Sequence, residues 1–231
     1  MSVLSDTGSI AALTSADISG IKSTDISAAT TEQFALLTSQ QIGWLSAGVI
    51  SSITTDQLRV MTDDELRAFT SDQLPQLSQS QIESLETSDI VALTADQFSY
   101  LGGLNPGDGV QYLSSDQVVA METADIALLS TQQVALLAQN TGRLRALAGE
   151  DIVALSTQQL RAIGTQFGSL TTSQIVALQD GDLANLTSEQ IRDLTTEQIA
   201  ALETKDIKSL SPSQIDLWDS TKLRALTTAQ I

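Results

Sequence analysis

An apolar residue returns every eight positions through almost the whole chain, and no other feature restricts the fold as tightly. Ile10, Ile18, Ile26, Phe34, Ile42, Ile50, Leu58, Leu66, Leu74, Ile82, Ile90 and Phe98 mark the period. A second apolar slot follows three residues after the first, as in Leu13, Ile21, Leu37, Leu45, Leu77 and Leu85. The unit reads Thr/Ser-x-x-Gln/Asp-Ile-x-x-Leu. Self-similarity at a fixed short period is the signature of a repeat array.

Each octad opens with a helix start signal. In Thr38-Ser39-Gln40-Gln41-Ile42-Gly43-Trp44-Leu45, the Thr38 hydroxyl can accept from the amide three residues on while Gln41 reaches back. Thr54/Gln57, Ser78/Gln81, Ser114/Gln117, Ser156/Gln159 and Thr195/Gln198 repeat the device. A start every eight residues leaves about one and a half to two turns per helix. Ile and Leu three apart share one helical face. A single continuous helix would let this apolar stripe wind around its surface, because 3 + 5 spacing averages about four residues per turn against 3.6. A β-solenoid needs period two, which Ile-x-x-Leu violates. The expected fold is therefore all-α: a superhelical solenoid of very short capped helices, one per octad, running as a single array over 1–231. One octad cannot stabilise itself. Two buried aliphatics give about 1.5–3 kcal/mol each, and ordering eight residues costs about 1–2 kcal/mol per residue, so octads must stack.

A longer period overlies the short one. Octads that break the motif lie near 46–50, 102–110, 164–167 and 219–223, seven octads apart. The residue before the first apolar slot turns acidic on the same period: Glu65, Asp125 and Asp182, then Asp89, Asp151 and Asp206. The first superunit departs, with Asp17 and Asp25. A superunit of seven octads recurring about four times is explained by about 3.5 octads per superhelical turn, which brings the acidic octads onto one ridge. A further irregularity at 139–144 runs two residues over; its Gly and Asn predict a turn or loop. The octad pattern is cut at both ends, which suggests an excerpt or ends that meet other copies.

Composition removes several function classes. There is no Cys and no His, so disulfides, thiolate metal sites and the usual catalytic base are missing. No paired carboxylates or Lys–Ser arrangement stand out, and the expectation is no enzyme. A net charge of −17 repels phosphate backbones and anionic lipid, so neither nucleic acid nor a membrane surface is an expected partner. No apolar run is long enough to span a bilayer, and the N-terminus lacks the basic and apolar regions of a signal peptide.

Three groups of residues are candidates for contacts. The Gly-rich insert Gly102–Gly109 carries Asp108, the one candidate for a metal contact, with calcium as the cation; a plain surface loop is the competing reading. The acidic ridge can meet cations or a basic partner, or simply favour the helix dipole. Trp44, Tyr100 and Trp218 are the candidate partner contacts, with Phe98 in the same octad of the superunit; core filling is the alternative. The arginines mostly follow the first apolar slot and read as solvated or ion-paired.

The units Thr187-Ser188-Glu189-Gln190-Ile191, Thr195-Thr196-Glu197-Gln198-Ile199-Ala200-Ala201-Leu202 and Thr227-Thr228-Ala229-Gln230-Ile231 resemble the Thr-Thr-x-Gln-Ile-x-Ala-Leu arrays of large, acidic, exported bacterial surface proteins. That resemblance implies a structural or adhesive role at a cell surface or outside the cell, and it carries no catalytic residues. Three roles follow as expectations. The first is a rod, stalk or self-assembling filament, partnered by itself. The second is a scaffold holding a peptide or protein in a superhelical groove. The third is a secreted effector or length ruler.

Overall fold

The computed structural model describes residues 3–5, 7–102, 105, 107–179 and 181–231. Among these residues the chain is all-helical, with a short helix in almost every octad and no strand. The helices run from four residues, as in Thr31–Phe34, to eight in Thr131–Ala138. The array divides into two compact units, Met1–Glu122 and Thr123–Ile231, although the octad pattern continues through the division.

The capping boxes form as the sequence requires. Thr38 N–H donates to Gln41 Oε1 at 2.9 Å while Gln41 N–H donates to Thr38 Oγ1 at 3.3 Å. The same reciprocal pair closes Thr54/Gln57, Ser78/Gln81, Thr171/Gln174 and Thr187/Gln190. Most helices then stop within two turns, because the second apolar residue leaves helical backbone: Leu45 sits at φ −58, ψ 137. Its N–H still donates to the first apolar carbonyl, Leu45 N to Ile42 O at 3.1 Å.

Both apolar slots form the core. In the first unit the first-slot residues from Ile10 to Val118 are at most 2 % exposed. Each helix packs on the helix three octads away. In the first unit Ser15–Ser19 packs on Ser39–Trp44, Thr55–Leu58 on Gln79–Ser84, and Thr87–Ala92 on Ser115–Ala120. In the second, Thr123–Leu128 packs on Gly149–Ala154, and Thr172–Val176 on Thr196–Ala201.

The irregular octads have separate local causes. Ala47–Ser52 and Gly164–Ser169 are 3₁₀ helices. Val49 and Gln166 precede the apolar slot there, but neither octad has a side-chain N-cap, so the wider α turn loses its start signal. Gly164 has φ +60, a left-handed backbone that only glycine adopts without strain. Ser220–Arg224 is an ordinary α-helix, started by Asp219, whose Oδ1 accepts from Thr221 and Lys222 N–H at 2.9 Å each. The long unit at 139–144 is not the expected loop. The preceding helix extends to Ala138, and Asn140 then caps Thr141–Ala146 by accepting from Gly142 N–H at 2.9 Å, so the two extra residues go into helix.

Candidate functional site

The most regular polar construction in the molecule is a ladder of glutamines. Each capping-box glutamine spends Oε1 on its own N-cap amide and has its Nε2 amide left over. In most octads that Nε2 donates to the carbonyls of both apolar slots four octads earlier. Gln57 Nε2 lies 2.8 Å from Ile26 O and 2.8 Å from Ala29 O. Gln73 reaches Ile42 O and Leu45 O at 2.9 and 2.8 Å. Gln81 reaches Ile50 O and Ile53 O, both at 2.8 Å, and Gln117 reaches Ile82 O and Leu85 O at 2.9 and 2.8 Å. In the second unit Gln174 ties Leu144 O and Leu147 O, and Gln230 ties Ile199 O and Leu202 O. These glutamines are buried. The first-slot carbonyls also accept from the second-slot N–H, as Ile50 O does from Ile53 N–H at 3.1 Å, so the tie matters most at the second-slot carbonyl, where a lost partner costs about 1–3 kcal/mol.

Helix packing at three octads and glutamine ties at four fit a coil of about 3.5 octads per turn. Asparagine would be too short for both contacts, and glutamate has no N–H to give. The capping role of glutamine was legible in the motif; its second role was not, because the carbonyls it serves lie about thirty residues away in sequence.

The acidic residues of the ridge stand where the ladder expects glutamine. Glu65, Asp89, Asp151, Asp182 and Asp206 keep the local half of the device: Thr62 N–H donates to Glu65 Oε2 at 2.7 Å, Glu86 N–H to Asp89 Oδ2 at 2.7 Å, and Ala148 N–H to Asp151 Oδ2 at 2.8 Å. None can donate to a carbonyl as an ionised group. Glu65, Asp89, Asp125, Asp151 and Asp206 are buried, and Asp182 is half-buried. Burial pushes the Asp89 carboxyl above the usual carboxylate range, with Glu86 and Asp63 adding repulsion against the Glu86 amide that lowers it. Burial raises Asp182 likewise. Thr123 Oγ1 donates to Asp151 Oδ1 at 2.8 Å, a hydroxyl supplying a proton to the carboxylate from three octads away.

The aromatic candidates are not brought together. Trp218 is 4 % exposed, and its indole Nε1 donates to Ile191 O at 2.9 Å. It therefore fills the second apolar slot of its octad and presents no free ring, contrary to its reading as a partner contact. Phe98 is fully buried in a first slot. Trp44 is half-buried and Tyr100 exposed, both in the first unit. Asp108 is also buried: its Oδ2 accepts from Asn105 N–H at 3.2 Å and Asn105 Nδ2 at 2.9 Å, so one carboxylate oxygen is turned inward to close the insert. Gly103, Leu104 and Pro106 of that insert lie outside the described residues. At its base Gly109 N–H donates to Leu101 O at 2.7 Å, an approach so close that a Cβ on Gly109 would lie 2.4 Å from that oxygen.

The arginines behave in two ways. Arg59 and Arg67 pair with the acids three residues before them, Asp56 at 3.1 Å and Asp64 at 3.8 Å. Arg145 and Arg161 instead reach the next layer, Nε donating to Ser169 O at 2.8 Å and Asn185 O at 2.5 Å. Beside Arg145 an open cleft of about 380 Å³ is bordered by Thr171, Thr172, Thr195 and Glu197. Thr171 and Thr195 already cap helices there.

A search for similar curated proteins finds none. The ALTTAQ repeat family matches residues 144–180, 175–211 and 199–231, between them less than half the chain. Ala225-Leu226-Thr227-Thr228-Ala229-Gln230 spells its name: Leu226 holds a second slot, Thr227 N–H donates to Gln230 Oε1 at 2.7 Å, and Gln230 Nε2 ties. The matched segment is similar to that family as a repeat array, and the same physical unit continues through residues the family does not match.

Proposed function

We propose that the chain is a non-catalytic structural module, a spacer or stalk in a bacterial surface or extracellular assembly. One observation carries this reading. The side chains that bear chemistry (Thr, Ser and Gln) are spent on capping helices and on tying each octad to the octad four back. A coil closed by such ties resists extension along its length, because separating two turns breaks a pair of buried hydrogen bonds at each glutamine. The acidic surface keeps such a coil soluble and away from anionic lipid.

Force measurement tests the proposal. Tethered at both ends and pulled, the chain is expected to open in discrete steps that each release a few octads and to close again on relaxation. Replacing Gln57 and Gln81 by Ala is expected to lower the opening force. A featureless extension, as of an unstructured polymer, would overturn the structural role. Surface labelling of intact cells tests the location: a chain protected from the label until lysis does not belong outside the cell.

A further inference from the structure

Four octads of the first unit carry an exposed aliphatic just after the first apolar slot, outside the core. In the first unit, large exposed aliphatics occur among the described residues at Leu36, Val60, Val91 and Val119. Their octads are separated by three, four and three units, the same alternation that returns the coil to one side after each turn. The helix before Leu36 packs on the helix before Val60, and the helix carrying Val91 packs on the one carrying Val119. Leu36 and Val60 stand two residues past the first slot, and Val91 and Val119 one past it; other octads of this unit place a small or polar residue there, as Ser84 and Ala68 at the former position and Ser27, Gly43 and Ser51 at the latter. The aliphatics thus come in two packed pairs, which the alternation of three and four octads sets on one side as a strip.

Carboxylates border this strip. Glu32, Asp56, Glu86 and Asp116 are exposed in or at the start of the same four helices, and Asp89 takes the glutamine position within the third. The only base in these octads is Arg59, already paired with Asp56. Two copies of the strip would set carboxylates against carboxylates, so a second copy is a poor occupant. A partner with an apolar face flanked by Lys or Arg is complementary in both respects. Spacing selects its form. Packed helices lie about 8–10 Å apart, and seven residues of an α-helix advance about 10.5 Å, so a heptad-patterned helix meets one aliphatic per turn of the coil.

We propose that this strip docks a cationic amphipathic helix of another protein. The inference does not depend on the spacer role, since a mechanically weak coil would carry the same strip.

The probe is a synthetic amphipathic helix of Leu and Lys, set against an isomer of equal composition whose leucines are dispersed around the helix. Both are titrated onto the whole chain at physiological salt, with fluorescence anisotropy as readout. The amphipathic peptide is expected to bind at least tenfold more tightly than the isomer. Val60→Ser, Val91→Ser and Val119→Ser together should remove that advantage, and Glu32→Gln with Asp116→Asn should weaken both peptides. Circular dichroism checks that the variants stay folded. Should the triple variant unfold, methyl NMR of the unaltered chain replaces it: shifts confined to Val60, Val91, Val119 and Leu36 support the strip, and shifts elsewhere overturn it. Equal affinity for the two peptides means charge alone is read, and the proposal fails. Sedimentation showing dimers that the serine variants dissolve would assign the strip to a second copy, which also overturns it.

Discussion

The two units are built from one motif yet close their turns differently. In the first, most glutamines meet the two apolar-slot carbonyls squarely, as Gln57, Gln73, Gln81 and Gln117 do. In the second, several keep one slot carbonyl and place the other contact on the residue just after the first slot. Gln159 meets Ala127 O and Leu129 O, Gln198 meets Gly168 O and Leu170 O, and Gln214 meets Leu183 O and Ala184 O at 3.3 and 3.1 Å. Surface side chains add further ties there: Arg145, Arg161 and Lys222 each donate to a backbone carbonyl of another layer, and Thr204 Oγ1 donates to Ala229 O at 3.0 Å. The ladder therefore tolerates a one-residue shift where long exposed side chains take up part of the bonding. The first unit shows no such outer ties among its arginines, which an acid three residues earlier holds locally.

The sharpest way to break this comparison is to remove one glutamine from each unit. Gln81→Ala removes the acceptor of the Ser78 amide and the tie to Ile53 O, while Ile50 O keeps its bond from Ile53 N–H, and is expected to cost about 2–3 kcal/mol. Gln214 is half-buried with longer bonds, and its alanine variant is expected to cost about 1 kcal/mol. Urea melts of the single variants measure both. Equal losses would mean that the register difference has no energetic content.

The tryptophans come next. Trp218→Phe keeps most of the buried area but abandons the bond to Ile191 O, at an expected cost of about 1–2 kcal/mol. Trp44→Phe, at a half-buried site, is expected to stay within about 0.5 kcal/mol. Thermal melts followed by far-UV circular dichroism decide whether the two residues differ as their burial says they should. A Trp44 loss as large as that at Trp218 would show that its ring is core after all.

Smaller again is the arginine contrast. Arg161→Ala is expected to cost about 0.5–1 kcal/mol by releasing Asn185 O, while Arg59→Ala loses only an exposed pair and is expected to change almost nothing. Gln158→Asp places an acid three residues before Arg161 and should draw it into a local pair. Hydrogen exchange of the Thr187–Gln190 turn, just beyond Asn185, would then quicken as if the arginine were gone.

Much of this was legible in the octad. The period, the caps at Thr38/Gln41 and its equivalents, and the apolar faces are local facts, each decided within eight residues, and they fix helix length and core. The seven-octad recurrence that takes Glu65 to Asp125 and Asp89 to Asp151 fits the packing of helices three octads apart. The glutamine ties were hidden, since nothing near Gln57 names Ile26 as its partner. Trp218 misled because an aromatic in a second slot reads equally as surface or core until the depth of that slot is known. The unit at 139–144 misled because Gly142 and Asn140 signal a turn, whereas Asn140 acts as a cap and the helix before it absorbs the surplus.

The smallest effect tests the acidic positions themselves. Asp89 accepts from Glu86 N–H and is otherwise disfavoured as an ion by burial and by Glu86 and Asp63 nearby. Its folded carboxyl is raised above the unfolded value near 3.8, so between that value and its folded one the native state holds the extra proton. Below pH 3.8 both states are protonated and Asp89 imposes no penalty. As pH rises through the window the native state must give up its proton at a cost the unfolded chain does not meet, and stability falls to a plateau. Asp89→Asn keeps an oxygen for the Glu86 amide and removes the charge. It should stabilise the first unit at neutral pH by up to about 1 kcal/mol, allowing for solvent screening. The gain should vanish below pH 3.8. Paired denaturant melts at pH 3 and pH 7 read the difference. A variant less stable than the parent at pH 7 would mean that the carboxylate's charge is needed within the folded unit, and that the acidic ridge is more than a set of absent glutamines.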